Sequence, residues 1–283
     1  MVRRIATQTL FEQQNLLQGF ITRAARDLCI EGNGRLGSWG DARTTCDSIW
    51  ALCNCGMAQL QRPFIKYCLD RLVTCEAVNE QHGGICVNME VWDTSLALIA
   101  VVKGGGADFS HTISQFKKWI LSETTGRYWK ADPWETLWAI SALLLLAKDD
   151  TSLHRLIKNS LNWLLSLRTS EGFLIASHYM GFLLSVISEA ERCLSLTAKD
   201  KRSLDSAEDK CISYLWKEYL KTRKGGALWD NEPWIVGHVL MGIASSLKSR
   251  EFFFSNIEFN KHLVVWCGKR WQDKYGWGDI VET

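Results

Sequence analysis

A chain of 283 residues with 47% hydrophobic and 23% charged side chains has the balance of a globular protein able to bury a substantial core. Its 33 Lys and Arg against 31 Asp and Glu leave a net charge of +2 without any long basic stripe, which argues against the concentrated cationic face of a nucleic-acid binder. Only 3 prolines interrupt it, and the 14 tryptophans are the anomaly: so large an apolar side chain with one N–H donor suits a core, an interface or the wall of an apolar pocket.

In chain order, the start Met1-Val2-Arg3-Arg4, followed by Gln8, Glu12, Gln13 and Gln14, lacks the apolar stretch of a secretion signal. The 10 cysteines then read as reduced thiols of a cytoplasmic protein. A repeat of roughly forty-odd residues begins near Gly37. Its copies are Gly37-Ser38-Trp39…Cys46-Asp47-Ser48-Ile49-Trp50-Ala51, Gly84…Trp92-Asp93-Thr94-Ser95-Leu96-Ala97 and Gly126-Arg127-Tyr128-Trp129…Trp134-Glu135-Thr136-Leu137-Trp138-Ala139. Two more follow, Gly172-Phe173…His178-Tyr179-Met180-Gly181-Phe182 and Gly226…Trp234-Ile235-Val236-Gly237-His238-Val239. A sixth starts at Gly276-Trp277-Gly278 and reaches Val281-Glu282-Thr283.

Each copy reads alike. Glycine, often doubled as in Gly83-Gly84 or Gly225-Gly226, closes one helix. An aromatic-containing loop follows, and an acid–Thr pair or its equivalent opens a second helix rich in Ala and Leu. Residues 137–147 are apolar nearly all round, which predicts an inner, buried helix, too short for the ~20 residues of a membrane span. Residues 153–167 place Leu153, Leu156, Ile157, Leu161, Leu164 and Leu165 on one face, which predicts a half-solvated outer helix. Lys103-Gly104-Gly105-Gly106 lacks the ending of a phosphate loop and reads as a flexible connection. Cys53 and Cys55 point to different helix faces and form no chelate. Alternating outer and inner helices predict an all-α fold, a single α/α-toroid domain over residues 1–283 of about six helix hairpins. The absent last inner helix means either a domain cut from a longer chain or a ring completed otherwise.

Glycine–aromatic loops running into Trp92-Asp93-Thr94-Ser95-Leu96-Ala97 resemble the repeats of the terpenoid cyclase and protein prenyltransferase superfamily, squalene–hopene cyclases in particular. The Gln272…Gly276-Trp277 spacing is similar to the Gln–Trp repeats of that family. The resemblance implies a toroid with a central cavity for an isoprenoid-type ligand. Class II members of the family carry an Asp-x-Asp-Asp-Thr motif whose middle Asp donates the initiating proton. Glu90-Val91-Trp92-Asp93-Thr94 and Asp132-Pro133-Trp134-Glu135-Thr136 keep the outer acid, the second acid and the Thr, with tryptophan in the donor's place. If the pocket catalyses, the resemblance passes the proton donor's role to Asp132 or Asp93, with Glu135 as the remaining acid. Asp209-Lys210-Cys211 and His238 have the spacing of the prenyltransferase zinc ligands, but Asp209 falls in the middle of an outer helix, so no metal site is expected. No cofactor is expected either.

The candidate residues divide between chemistry and packing. Asp47, Asp93, Glu135 and Glu282 share one repeat position, where a first-turn carboxylate would accept free N–H groups and complement the helix dipole, or ring one mouth of the toroid. Asp132, with Glu232 before Pro233 as its nearest analogue, is less repeated and so the better single candidate for chemistry. Trp92, Trp134 and Trp234 would line the ligand pocket with His178, Tyr179, His238 and Asp47, and could stabilise a cation through their ring faces. The leading expectation is an apolar isoprenoid-type ligand in a central cavity, with acid-initiated cyclisation if the chain is an enzyme. The rivals are a non-catalytic ligand-sensing or protein-interaction module and another toroid enzyme, a glycosidase or lyase. A protein partner and a membrane surface stay open as partners.

Overall fold

In the computed structural model the described residues are 42–54, 62–167, 176–272 and 276–277, and they are predominantly helical. The described residues divide into two compact units, one running up to Trp163 and one from Leu164 onward. Glu282 and Trp39 lie outside the described residues.

In the first unit, helices α1 (Ala42–Asn54), α3 (Val91–Gly104) and α5 (Pro133–Ala147) carry the Ala/Leu segments of the first three repeats. Helix α3 packs against both α1 and α5. The sequence pattern accounts for this arrangement: α3 buries every residue from 93 to 101, and α5 buries Leu137, Ala139, Ile140, Leu143 and Leu144. Each fully buried Leu or Ile contributes about 1.5–3 kcal/mol relative to exposure. Helices α2 (Arg62–Leu72) and α4 (Ser110–Ser122) are amphipathic and flank α3. Helix α6 (Leu153–Ser166) buries Leu153, Ile157, Leu161, Leu164 and Leu165, the face its periodicity predicts.

Two expectations are corrected here. Gly83-Gly84 does not end a helix. It turns an antiparallel hairpin of β1 (Val78–Gln81) and β2 (Gly84–Val87), with Val78 opposite Val87. Gly83 has φ 72°, and a Cβ on Gly84 would lie 2.6 Å from the Gln115 carbonyl oxygen, so the pair serves the turn and a close approach to α4. Of the glycines after Lys103, Gly104 and Gly105 are packed rather than loose, whereas a Cβ on Gly106, at φ 56°, would meet nothing within 4 Å among the described residues. A Cβ on Gly104 would meet Ile65 at 2.8 Å, and one on Gly105 would meet the Phe109 ring at 2.3 Å.

In the second unit, α7 (Ser177–Cys193) and α9 (Pro233–Ser245) carry the fourth and fifth inner segments and pack directly on each other. Their contact is built from small residues: a Cβ on Gly181 would lie 2.4 Å from the Val239 Cα, and one on Gly242 only 1.8 Å from the Gly181 carbonyl oxygen. Ser245 continues the seam, its Oγ 3.2 Å from Ser185 Oγ and its carbonyl oxygen accepting from Ser188 Oγ at 2.8 Å. Helix α8 (Ala198–Thr222) opens with a Thr197–Asp200 capping box and packs on α7. Helices α10 (Leu247–Phe254) and α11 (Ile257–Arg270) follow, and β3 (Trp271–Gln272) pairs with β4 (Gly276–Trp277). The Gln272…Trp277 segment is thus joined backbone to backbone, Gln272 opposite Gly276. Among the described residues no helix is long and apolar enough to cross a membrane.

Candidate functional site

The loops before α3 and α5 are held by a matching bond. Thr94 Oγ1 accepts the Val87 N–H at 2.9 Å, and Thr136 Oγ1 accepts the Trp129 N–H at 3.1 Å, the same seven-residue reach in both repeats. The loop indoles plug the preceding outer helix: Trp129 Nε1 donates to the Ile120 carbonyl at 2.7 Å, and Trp229 Nε1 to the Leu215 carbonyl at 2.9 Å. Both rings are fully buried, so these loop tryptophans pack the core. The two residues before the N-caps of α3 and α5 then take left-handed backbone, Asn88 and Met89 at φ 53° and 56°, Lys130 and Ala131 at φ 50° and 52°. Such conformations in non-glycine residues cost on the order of 1–3 kcal/mol each. Their effect is to aim one side chain at the acid five residues on. Asn88 Nδ2 donates to Asp93 Oδ2 at 2.7 Å, and Lys130 Nζ lies 3.7 Å from Glu135 Oε1.

The three candidate acids occupy different environments. Asp132 is the N-cap of α5, its Oδ1 accepting the Glu135 N–H at 2.9 Å. Asp93 is buried and takes Arg43 through both oxygens, at 2.8 and 3.1 Å, in addition to Asn88. With both oxygens occupied as acceptors, it ties α3 to α1. Glu135 spans the helices in the same sense: its Oε2 accepts the Trp92 N–H of α3 at 2.8 Å. Burial pushes the Glu135 carboxyl up, Lys130 and the Trp92 N–H pull it down, and the charge and hydrogen bond of Glu90 raise it again, leaving it at about 7. Burial works to lower the Lys130 ammonium, but its hydrogen bond to Glu90 and the charges of Glu135, Glu90 and Glu123 outweigh that, and the net direction is up. Asp47 is exposed on the second turn of α1 rather than in a first turn.

Beside these acids is a tryptophan cluster. Trp138 is 2% exposed and is touched by Trp50 at 5.6 Å and Trp134 at 5.7 Å, both edge to face, and by Trp92 at 6.5 Å. The Arg43 guanidinium lies 3.6 Å over the Trp92 ring, so one face of that indole already holds a cation. Trp138 follows Glu135 by three residues and shares its side of α5, as Trp50 follows Asp47 on α1. That spacing was the signal by which Trp50 and Trp138 could have joined the candidates. Arg43 and Lys130 carried no comparable signal.

The remaining candidates gather in the second unit. His178 stacks on Tyr179 at 4.4 Å and meets the Trp234 ring edge to face at 4.8 Å. Trp234 is 51% exposed. His238 Nδ1 is 2.9 Å from the Trp234 carbonyl oxygen and therefore carries the proton, and its ring approaches Phe182 at 5.6 Å. Burial lowers the affinity of both histidines for a second proton. His238 lowers that of His178 further, whereas the Trp234 carbonyl partly restores that of His238. Asp209 is on the solvent side of α8, paired with Lys248 at 2.5 Å, while Cys211 is fully buried. Among the described residues no cluster of three or more His, Cys, Asp or Glu could hold a metal ion. Compared with protein-family models, with curated proteins and with solved structures, the chain matches none of them.

Proposed function

We propose that the chain is an α/α toroid of the terpenoid-cyclase type that binds an apolar, isoprenoid-type ligand against Trp50, Trp134 and Trp138. The observation that carries this reading is the edge-to-face tryptophan cluster lying on the same side of α5 as Glu135, an acid held at about 7. Successive packing of α1, α3 and α5, and of α7 on α9, is what a ring of inner helices requires.

Chemistry is the narrower part of the proposal. Glu135, held at about 7, has a proton to give near neutral pH, while Asp132 caps α5 and Asp93 is bonded to Arg43. An acid held at about 7 is a weaker proton donor than an ordinary carboxyl, which suits protonation of an epoxide or a carbonyl oxygen better than of an alkene. The bonds from Glu135 and Asp93 to neighbouring helices also favour a second reading, a binding module without turnover. Native mass spectrometry of the purified full chain, with lipid extraction of what co-purifies, separates the outcomes. A bound isoprenoid that is lost in Trp134→Ala supports the ligand site. A chain that carries only a protein partner refutes it.

A further inference from the structure

An apolar ridge rimmed by cations lies on the second unit, where the C-terminal turns of α8 meet α10. Leu220 of α8 is 36% exposed and Phe252 of α10 is 44% exposed. The half-buried Trp216 ring joins them: Phe252 stands edge to face on it at 5.4 Å, and Leu220 follows it by one helical turn. Buried Phe253 meets the same indole at 5.6 Å and fixes it against the core. Lys217 lies three residues before Leu220, and Arg223 and Lys224 lie three and four after it, in the 3-10 turn (Arg223–Gly225) that continues α8. That spacing sets all three cations beside Leu220, and all three are exposed. Of the acids nearby, Glu218 is paired with Lys221 and Asp209 with Lys248, each at 2.5 Å, while α10 sets Arg250 against Glu251. The sign of the patch is therefore set by Lys217, Arg223 and Lys224.

We propose that this ridge docks the protein on an anionic lipid surface, with Leu220 and Phe252 entering the acyl boundary, Trp216 at headgroup level, and Lys217, Arg223 and Lys224 against the lipid phosphates. A single exposed apolar residue is ordinary, but a contiguous set rimmed by charge of one sign marks a surface with a partner. Charge complementarity selects an anionic partner, and the apolar centre selects lipid among anionic partners. Phosphates of a nucleic acid would be met by the cations alone, and an aliphatic side chain such as Leu220 gives a base no ring to stack on. Exposed apolar side chains with basic residues around them instead match the two parts of an anionic bilayer surface, its acyl boundary and its headgroup charge. Docking of this kind is peripheral and needs no spanning helix. It does not depend on what binds at the tryptophan cluster of the first unit.

The test is co-sedimentation of the full chain with vesicles of phosphatidylcholine alone and with vesicles in which about a third of the lipid is phosphatidylserine. The chain should bind the anionic vesicles about tenfold or more tightly than the neutral ones, and binding should weaken as salt is raised. Leu220→Ser combined with Phe252→Ser should weaken binding to the anionic vesicles by about tenfold or more, through loss of the inserted apolar area. Lys217→Glu combined with Lys224→Glu changes only exposed positions and should remove the preference for the anionic vesicles, which keeps the test decisive if the serine variant fails to fold. Equal binding to both kinds of vesicle, no binding to either, or binding at parental strength in the folded charge variant would overturn the proposal. Recovery of an acidic protein on the ridge without any vesicle binding would overturn it as well.

Discussion

Replacing Gly242 by alanine tests the packing of α7 on α9 at its tightest point. The added Cβ would sit 1.8 Å from the Gly181 carbonyl oxygen and 2.6 Å from its carbonyl carbon, both backbone atoms that no rotamer change can move. Close C···O contacts settle at about 3.3 Å, so the helices must part by roughly 1.5 Å locally. Overpacking of this kind costs about 1–3 kcal/mol. Separation would also strain the Ser188–Ser245 and Ser185–Ser245 hydrogen bonds, about 1 kcal/mol each. Against this, Gly→Ala inside a helix gains about 0.8–1 kcal/mol of propensity. The clash wins, for a net loss of about 2–4 kcal/mol. Gly237, on the same helix, is the internal control: a Cβ there meets nothing within 4 Å among the described residues, so Gly237→Ala should stabilise by up to about 1 kcal/mol. Urea unfolding followed by circular dichroism compares the two. Equal midpoints for both variants would refute the seam.

Three further outcomes follow from the site. The Glu135 carboxyl is raised from 4.5 to about 7 in the folded chain, so below pH 4.5 it is protonated folded or unfolded, and as pH rises towards 7 ionisation disfavours the folded state. Glu135→Gln should therefore gain stability on the parent across that window, by roughly 1–3 kcal/mol after allowance for solvent screening, and a flat difference between the two unfolding curves would contradict the shift. Thr136→Val removes the acceptor of the buried Trp129 N–H and should cost about 1–3 kcal/mol, with faster hydrogen exchange at that amide; Thr94→Val should do the same at Val87. Asp132→Ala should cost about 0.5–2 kcal/mol as a lost N-cap while Asp132→Asn stays near the parent in thermal melts. A large loss in the Asn variant would show that more than capping depends on this carboxylate.

The helical class, the repeat and the buried face of α6 were legible in the sequence, because a 3.6-residue period records which side of a helix meets the core. The acid–Thr pair was legible as a position but not as a device. That Thr136 holds the Trp129 N–H, and that Glu135 reaches the Trp92 N–H on the preceding helix, depends on left-handed backbone at Lys130 and Ala131 that no residue type there announces. For the same reason the hairpin around Gly83-Gly84 was missed: paired glycines fit a helix end and a tight turn equally well, and a weakly alternating strand of four residues does not decide between them. Asp132 stood out as less repeated, yet it caps a helix, and burial raises the affinity of Glu135 for its proton. What separates them is burial and the neighbourhood of Glu90, which come from the packing of α3 against α5 rather than from spacing along the chain.

The most direct test of a ligand site at the tryptophan cluster is a calorimetric titration of the full chain with a farnesyl-chain alcohol, set against Trp134→Ala. The account predicts saturable binding that weakens about tenfold or more in the variant, equivalent to about 1.4 kcal/mol or more, while urea unfolding of the free protein changes little at this half-buried position. Binding of equal strength in parent and variant, or none in either, would contradict it.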